Sequence, residues 1–341
     1  MKFSIAMCTY NGAAYLKQQL TSIAAQTRIP DELVICDDGS TDETAAILKS
    51  FAVKTTIPGR LEFNQANLGS NKNFAQAISL CSGDLIALCD QDDIWHPEKL
   101  ARIEAIFAER ADVGLVFTNG DVIDENSQPV NYTLWQGVGF SSESQAKIKA
   151  GRAFTTLTVR PAVTGAAMAF RRHFSSLILP IPDDPKFVHD EWIALLIAAT
   201  ADLAMIDEPL MKYRRHSHQQ IGVAAPGPEP AEGIVSQMRQ GIRRENPFAF
   251  EIKRLQAVSD RLSSNRQDFP CESALHLLND RVAHLSARAR ISQRGLKSVL
   301  SVLRELLTLR YHRYSRGTYS AIKDLQAIAF RAPTRSREKL L

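Results

Sequence analysis

The first 90 residues alternate between short apolar runs and longer stretches in which apolar residues recur at helical spacing. The runs predict strands over 3–10, 32–40, 60–71 (a strand with its following loop) and 84–90, and the stretches between them predict helices over 13–26, 42–52 and 72–81. Strands that alternate with helices at this spacing are typical of βαβ units and a parallel sheet. Ligands of such sheets bind at the carboxyl ends of the strands, so we expect functional residues there.

The alternation continues to about residue 216 and is followed by a different kind of sequence. The later pattern predicts helices over 98–109 and 189–200, strands over 112–124, 163–172 and 203–216, and a Ser/Gly-rich loop over 136–145. A stretch rich in Pro, Gly and Ala over 223–233 predicts a linker. Helical periodicity then resumes with Arg and Lys between the apolar positions. The sequence therefore predicts an α/β domain over 1–222, the linker, and a basic helical C-terminal region over 234–341.

The charge is distributed unevenly along the 341 residues. The net charge is +4, but residues 281–341 hold 14 Lys or Arg and three acids, which leaves −7 for residues 1–280. A basic helical region can lie on anionic lipid, pack on the acidic body, or pack in a homodimer. No nucleic-acid-binding motif accompanies the charge, so we expect no nucleic-acid partner.

The composition also bears on the compartment. No apolar run reaches the roughly 18 residues of a membrane span, and the first residues lack the pattern of a signal peptide. The five cysteines show no zinc or redox spacing. We therefore expect a cytoplasmic protein, with peripheral contact at the cytoplasmic face of the inner membrane as one role for the basic region.

An apolar run ends abruptly in three acids, Asp90, Asp92 and Asp93. Two carboxylates at positions i and i+2 after a strand can face one hard cation, and Mg²⁺ or Mn²⁺ bound in this way is usually completed by phosphate oxygens of a substrate. The alternative is a solvated acidic turn that caps the following helix. A second acidic turn, with Asp37 and Asp38, can accept hydrogen bonds from a nucleobase or ribose, or can simply form an Asx turn.

Two common nucleotide-binding patterns are missing from the sequence. No G-x-G-x-x-G follows the first predicted strand, and no G-x-x-x-x-G-K-[ST] occurs. These absences disfavour a dinucleotide-binding fold and a P-loop ATPase.

Seven segments, in order, resemble the family 2 glycosyltransferases of the bacterial rhamnosyltransferase-like type. They are TYNGAAYLKQQLTSIAAQT, DELVICDDGSTDET, NLGSNKNFAQAI, GDLIALCDQDDIWHPEKL, TGAAMAFRR, HDEW and YRRHSHQQIG, and they span residues 3 to about 222. The resemblance implies the GT-A fold, a Rossmann-like, mixed but mainly parallel sheet flanked by helices that binds nucleotide-diphospho-sugars. The C-terminal region is covered only loosely.

The resemblance also implies roles for particular residues. Asp190 matches the catalytic base, and Asp92 and His216 match the metal site, where Mn²⁺ or Mg²⁺ is expected. Two alternatives remain open: Glu191 for the base, and His218 for the metal. The expected substrate-binding residues are Thr9, Tyr10 and Asp38 at the base and ribose, Asp90 on the nucleotide side, Lys72 and Asn73 facing the donor, and Glu191. The basic stretch before His216 adds Arg214 near the phosphates, with its neighbour Arg215 as an open alternative.

These roles imply an inverting, metal-dependent glycosyltransferase that works in polysaccharide or lipopolysaccharide assembly. The expected donor is a dTDP- or UDP-sugar such as dTDP-rhamnose, and the acceptor is a hydroxyl of a growing cell-surface glycan or lipid-linked saccharide. One alternative is an inactive nucleotide-sugar- or carbohydrate-binding module on the same fold. Another is a nucleotidyltransferase, which would need a basic, Gly-rich loop after the first strand that this sequence lacks.

Overall fold

The computed structural model describes residues 1–184, 187–217, 219, 222, 248–291, 296–315 and 317–330. These residues form two compact units, one of residues 1–222 with 267–270, and one of residues 248–266 with 271–330. The predicted linker over 223–233 and the alternative ligand His218 lie outside the described residues. The predicted domain boundaries therefore stay a prediction.

The first unit is built from alternating strands and helices, as the apolar pattern predicts. Its strands, β1 to β9 in chain order, are Phe3–Thr9, Glu32–Asp37, Gly59–Phe63, Leu85–Cys89, Ile94–Trp95, Val113–Ile123, Pro129–Thr133, Met168–Arg171 and Asp202–Arg214. Its α-helices, α1 to α9, are Ala13–Ala24, Thr44–Lys54, Ser70–Leu80, Lys99–Glu109, Leu134–Gly137, Ser142–Lys149, Ala153–Val159, Ser175–Ile178 and His189–Ala198.

The described strands form one nine-stranded sheet in the order β3-β2-β1-β4-β8-β6-β9-β5, with β7 paired to β6. Strands β1 to β4 are mutually parallel where they pair, whereas β8 runs antiparallel to both β4 and β6. Because β8 reverses direction between two neighbours, β6 and its parallel partner β9 run the same way as β4. The carboxyl ends of β1, β2, β4, β6 and β9 therefore lie along one edge.

The core explains why β1 and β4 read as almost continuous apolar runs. All five residues of β4 are buried, as are six of the seven residues of β1. Helices cover a parallel sheet on both faces, so the central strands have no solvent-facing side. Leu16, Leu20 and Ile23 of α1 belong to the same buried cluster as residues of these strands.

Two predictions for the middle of the chain are wrong. The predicted loop over 136–145 contains parts of the helices Leu134–Gly137 and Ser142–Lys149, each of which begins after a hydroxyl cap, Thr133 or Ser141. Such caps accept hydrogen bonds from the free amides of the first helical turn. They can start a helix that is too short to show an apolar periodicity, so the sequence pattern did not predict these two helices. The predicted strand over 163–172 is a strand only from Met168, because Gly165–Ala167 forms a 3₁₀ turn.

The second unit is helical, as the periodicity beyond the linker predicts. Tyr311 and Val302 are fully buried in one of its apolar clusters. Among the described helices of the whole chain, none combines the length and the apolarity that a membrane-spanning helix needs. The helices of this unit, α10 to α14, are Ala249–Ser264, Glu272–Arg290, Leu296–Leu307, Arg310–Tyr314 and Thr318–Phe330.

Candidate active site

The end of β1 is tied to the acidic turn that follows β2. Thr9 is buried, and its hydroxyl donates to the Asp37 carboxylate at 2.7 Å. The same carboxylate accepts from the amide of Ser40 at 3.0 Å and from its hydroxyl at 2.6 Å. Asp37 therefore fixes the shape of this turn, and Thr9 supports the turn through its hydrogen bond to Asp37. A direct contact between the Thr9 hydroxyl and a nucleotide stays a prediction.

Asp38 and Asn73 hold the loop between β3 and α3. The buried Asp38 carboxylate accepts from the amides of Leu68 at 2.8 Å and Gly69 at 2.9 Å, and from the Asn64 side chain at 3.0 Å. The Asn73 amide donates to the Cys36 carbonyl at 2.9 Å and accepts from Asn64 at 3.0 Å. Both side chains thus hold this loop at the carboxyl edge of the sheet. Their contact with a sugar donor stays a prediction.

Tyr10 and Lys72 are the exposed members of the predicted donor site. The Tyr10 side chain is exposed at the end of β1. Gln91 holds its backbone from both sides, accepting from the Tyr10 amide at 2.8 Å and donating to its carbonyl at 3.0 Å. The ammonium group of Lys72 lies 2.7 Å from the Asp183 carboxylate in an exposed ion pair. Both side chains remain available to a ligand, because such exposed pairs are weak.

Asp92 and His216 come together although 124 positions separate them in sequence. The His216 Nε2 lies 2.8 Å from the Asp92 Oδ2, and both side chains are largely buried. The His216 ring packs against the ring of Tyr15, with centroids 4.9 Å apart. The sequence prediction paired these two residues at one metal site, and the structure places them in contact.

The carboxylates next to this pair repel each other. Burial, followed by the neighbouring Asp92 and Asp190 carboxylates, raises the pKa of Asp90 to about 7. Asp93 is fully buried, and burial together with Asp92 and Asp90 raises its pKa well above the usual range. Among the described residues, no hydrogen-bond partner meets the Asp93 Oδ2. It is therefore unfavourable for all of these carboxyl groups to be ionised at once unless a further positive charge lies nearby.

A divalent cation fits this donor set. Carboxylate oxygens with one imidazole suit Mn²⁺ or Mg²⁺ better than a soft metal. Within the described part of the chain, no three His, Cys, Asp or Glu side chains converge as a complete metal cage. Asp92 and His216 would hold the ion together with oxygens of a bound substrate.

Lys99 supplies a buried positive charge behind the acids. Its ammonium group is fully buried, donates to the Ala166 carbonyl at 2.6 Å, and lies 4.1 Å from the centre of the Trp95 ring. Burial lowers the pKa of Lys99 to about 8, although Cys89, Asp93 and Asp90 act in the opposite direction. Lys99 therefore ties the start of α4 to the 3₁₀ turn at Gly165–Ala167.

Arg214, which the sequence interpretation placed near the phosphates, is enclosed by other protein groups. Its side chain is 0% exposed. The guanidinium donates to the Asp92 carbonyl at 2.8 Å and to the Ser127 hydroxyl at 2.8 Å, and lies 4.6 Å from the centre of the Tyr15 ring. These contacts hold the backbone at Asp92, and the predicted place of Arg214 near the phosphates stays a prediction.

Asp190 lies at the first turn of α9, beside His189 and Gly165. Its Oδ1 is 2.7 Å from the His189 Nε2, and the His189 ring stacks on Phe74 with centroids 4.2 Å apart. Burial acts to raise the pKa of Asp190, but His189 and the Gly165 amide together lower it below the usual value. Asp190 is therefore held ionised in a buried position, and its role as the base stays a prediction.

The two neighbours of Asp190 in α9 have different surroundings. Glu191 lies against the segment that contains Leu157, Pro161 and Val163. Trp192 is in the core, where its indole N–H donates to the Ile178 carbonyl at 2.8 Å. These positions favour Asp190 over Glu191 as the predicted base, because Asp190 is the one that lies beside the acidic residues at the sheet edge.

The ion pair between His189 and Asp190 makes stability depend on pH. Burial acts to lower the pKa of His189, but Asp190 outweighs it and raises this pKa above 6.5. The stabilisation from His189 is therefore complete below pH 6.5 and lost as the pH rises through the folded value. The Asp190 pKa is lowered from 3.8, so its contribution is present above pH 3.8 and lost as the pH falls further.

We expect the melting temperature of wild type to decline above pH 6.5 more steeply than that of the His189→Gln variant. The measurement is a series of thermal unfolding curves from pH 4 to 9 for both proteins. Parallel curves above pH 6.5 would mean that this pair does not titrate with folding.

Five residues of the site did not stand out in the sequence as site residues. Gly165 is a small residue in an apolar segment, and Lys99 is a charged residue in a helix with an ordinary amphipathic pattern. The roles of Tyr15, Gln91 and His189 depend on contacts across the fold. Only the position of His189, directly before the predicted base, gave a signal that could have been used.

Comparison with known proteins places the chain in a family. Residues 4–177 match the family described as Glycosyl transferase family 2. An uncharacterized glycosyltransferase of Nostoc sp. is 31% identical over 219 residues, which is 63% of this chain and 65% of that protein. The dTDP-rhamnosyl transferase RfbG of Shigella flexneri is 27% identical over 232 residues, covering 63% of this chain and 73% of its own. This chain thus spans less than two thirds of the Nostoc protein.

A solved structure supports the fold. The crystal structure of S. aureus TarS 1–349 in complex with UDP-GlcNAc has a TM-score of 0.51 and 18% identity, and the match covers 96% of this chain and 89% of that one. At this identity the likeness shows the fold alone, which is GT-A, as the sequence predicts. A family match over half of the chain, on a GT-A sheet with an acidic carboxyl edge, establishes that the protein belongs to glycosyl transferase family 2.

Proposed function

We propose that the protein is an inverting, divalent-metal-dependent glycosyltransferase that uses a nucleotide-diphospho-sugar donor. The proposal rests on one observation: Asp190, the proposed base, lies close to the acidic residue Asp90, at the same edge of the sheet as Asp92. Asp190 is a buried, ionised carboxylate, and it lies close enough to Asp90 to help raise the pKa of that residue. Asp90 in turn adjoins the Asp92 and His216 pair. A base and a diphosphate site next to each other are what sugar transfer requires.

The donor would lie along the carboxyl ends of β1, β2 and β4. The exposed ring of Tyr10 would stack on the nucleobase, and Gln91 supports this role because it fixes the Tyr10 backbone on both sides. The turn held by Asp37 and the loop held by Asp38 would shape the ribose site. Lys72 would reach the donor by leaving its exposed ion pair with Asp183.

Asp92 and His216 would hold Mn²⁺ or Mg²⁺ together with the diphosphate oxygens. The ion, when bound, neutralises negative charge that develops on the departing diphosphate. Arg214 holds the backbone of Asp92 through a hydrogen bond to its carbonyl, and the Tyr15 ring packs against the His216 ring. These contacts would keep the two metal ligands in place. Lys99 ties the start of α4, which follows these acids in the chain, to the Ala166 carbonyl.

Asp190 would act as general base toward the acceptor. It takes the proton of the acceptor hydroxyl while that oxygen bonds to the anomeric carbon of the donor sugar. The bond between this carbon and the diphosphate oxygen breaks, and the nucleoside diphosphate leaves from the opposite face of the ring. Because attack and departure occur on opposite faces, the anomeric configuration inverts.

The donor is proposed to be a dTDP- or UDP-sugar, and the acceptor a hydroxyl of a cell-surface glycan or lipid-linked saccharide on the cytoplasmic side. The similarity to a protein named dTDP-rhamnosyl transferase makes dTDP-rhamnose the first donor to test. The fold likeness to TarS, solved with UDP-GlcNAc, adds UDP-sugars to the panel.

A donor-hydrolysis assay tests the proposed function. The purified full chain is incubated with dTDP- and UDP-sugars in Mn²⁺, in Mg²⁺ and in EDTA, and the released nucleoside diphosphate is measured. We expect release with at least one donor and its loss in EDTA. Saturable donor binding with no release, even when saccharide acceptors are added, would identify a binding module instead.

Gly165 provides a second test, because a side chain there meets the base directly. A Cβ at this position would overlap the Asp190 Oδ1 and lie 3.1 Å from the His189 Nε2. Gly165→Ala is therefore expected to displace Asp190 and lower kcat about 10²-fold, as small misplacements of catalytic groups do. Donor affinity, measured by titration calorimetry, should change little. A kcat equal to that of wild type would contradict the position assigned to the base.

A further inference from the structure

Helix α12 has two apolar faces, only one of which is buried. Val302 is fully enclosed in the core of the second unit, and Leu306 packs against the same cluster. Leu300, Leu303 and Leu307 are 55%, 46% and 85% exposed. Residues three and four positions apart share a helix face, so these three leucines form one exposed row, here called the leucine stripe.

The leucine stripe is an unusual surface for a folded protein. Single exposed apolar side chains are common, whereas aligned ones mark an interaction surface. Other apolar side chains of the same unit are also exposed, namely those of Leu309, Tyr319 and Ile322. The second unit therefore presents apolar side chains beyond those that its own core uses.

The charge of this part of the chain is almost entirely basic. Residues 281–330 contain ten Lys or Arg and two acids, Glu305 and Asp324. Glu305 is buried and lies 2.7 Å from His284, and Asp324 lies 2.7 Å from Arg288. Both acids are thus turned to partners within the unit. Arg304, which lies in the same helix as the leucine stripe, is exposed.

We propose that the leucine stripe docks on an anionic lipid surface. Helices with a Leu-rich face and a basic face lie in the membrane interface, with the apolar side chains below the headgroups. Anionic headgroups attract the basic side chains that flank such a face. A second copy of the chain fits less well, because association through this face would bring two strongly basic surfaces together.

Vesicle sedimentation of the full chain tests the proposal. The probes are vesicles of phosphatidylcholine with and without phosphatidylglycerol. Wild type is expected to bind the phosphatidylglycerol vesicles, and binding should weaken as salt is raised. The double variant Leu303→Glu, Leu307→Glu should bind at least about tenfold more weakly, since it removes apolar burial and adds negative charge. Its melting temperature should stay near that of wild type because both side chains are exposed.

Val53→Glu is the matched control. Val53 is 88% exposed at the end of α2 in the first unit, so the same kind of substitution is made away from the leucine stripe. This variant should bind vesicles like wild type. Donor hydrolysis without vesicles should be equal in all three proteins, which separates failure of docking from failure of the proposed activity.

Two results would overturn the proposal. One is equal partitioning of the double variant and wild type, including no binding by either. The other is a wild type that sediments as a dimer, binds no vesicles, and becomes monomeric in the double variant. That second result would identify another copy of the chain as the occupant of the leucine stripe.

Discussion

Asp190→Asn is expected to abolish sugar transfer while leaving donor binding intact. The asparagine keeps the size of the side chain but cannot accept a proton, and loss of a positioned base typically costs about 10²–10⁴-fold in rate. The donor would contact the 90–93 loop and His216, so its affinity should stay within about twofold. The measurements are kcat for transfer and a calorimetric titration with donor and Mn²⁺.

Glu191→Gln is the control for this prediction. The two acids are adjacent in α9, but Glu191 lies against the segment around Leu157 and Pro161, whereas Asp190 adjoins Gly165 and the acidic edge. Glu191→Gln should therefore retain most of the activity. If Glu191→Gln loses transfer and Asp190→Asn keeps it, the base has been assigned to the wrong carboxylate.

Arg214→Met is expected to destabilise the fold rather than merely weaken donor binding. Removal of the buried guanidinium leaves the carbonyls of Asp92 and Asp124 and the Ser127 hydroxyl without their donor. Each of these three part-buried acceptors loses a charged donor, which costs at the low end of about 1–3 kcal/mol, so a total of roughly 3–5 kcal/mol is expected. For a unit of this size the melting temperature should fall by roughly 10 °C.

Arg215→Met is the matched control, since it removes the neighbouring guanidinium. Arg215 is half-buried, and its side chain donates to the Tyr132 hydroxyl. Its loss should cost about 1 kcal/mol or less, as for most partly exposed side chains. If the melting temperature of Arg214→Met equals that of wild type and the KM for the donor is raised, the results would support the phosphate contact predicted from the sequence.

The α/β architecture was predictable because its signals are local. Apolar runs such as 84–90 predict buried strands, and their alternation with amphipathic helices fixes a mainly parallel sheet. The order of the acidic turns then placed Asp38, Asp90 and Asp92 at carboxyl ends. The family resemblance added Asp190 and His216, which no local pattern joins to that edge. Only the fold brings His216 to Asp92.

The remaining features depend on contacts that sequence spacing does not encode. Arg214 looked like a phosphate ligand because a basic side chain near a predicted metal site commonly is one. Its buried surroundings come from Gln18, Ser127 and the 124–125 backbone, which are remote in sequence. Lys99 likewise looked like an ordinary residue of an amphipathic helix. Its side chain is buried because it reaches the Ala166 carbonyl in the 3₁₀ turn, which is remote in sequence.

The most direct test of the central claim is a measurement of Mn²⁺ binding by electron paramagnetic resonance, with and without UDP or dTDP. Asp92→Asn is compared with wild type and with Asp207→Asn, which removes an exposed carboxylate outside the 90–93 loop. In wild type and Asp207→Asn, the nucleotide should increase bound Mn²⁺ to about one per chain. In Asp92→Asn this increase should be lost. Equal nucleotide-dependent Mn²⁺ binding in all three proteins would contradict a metal and diphosphate site at Asp92.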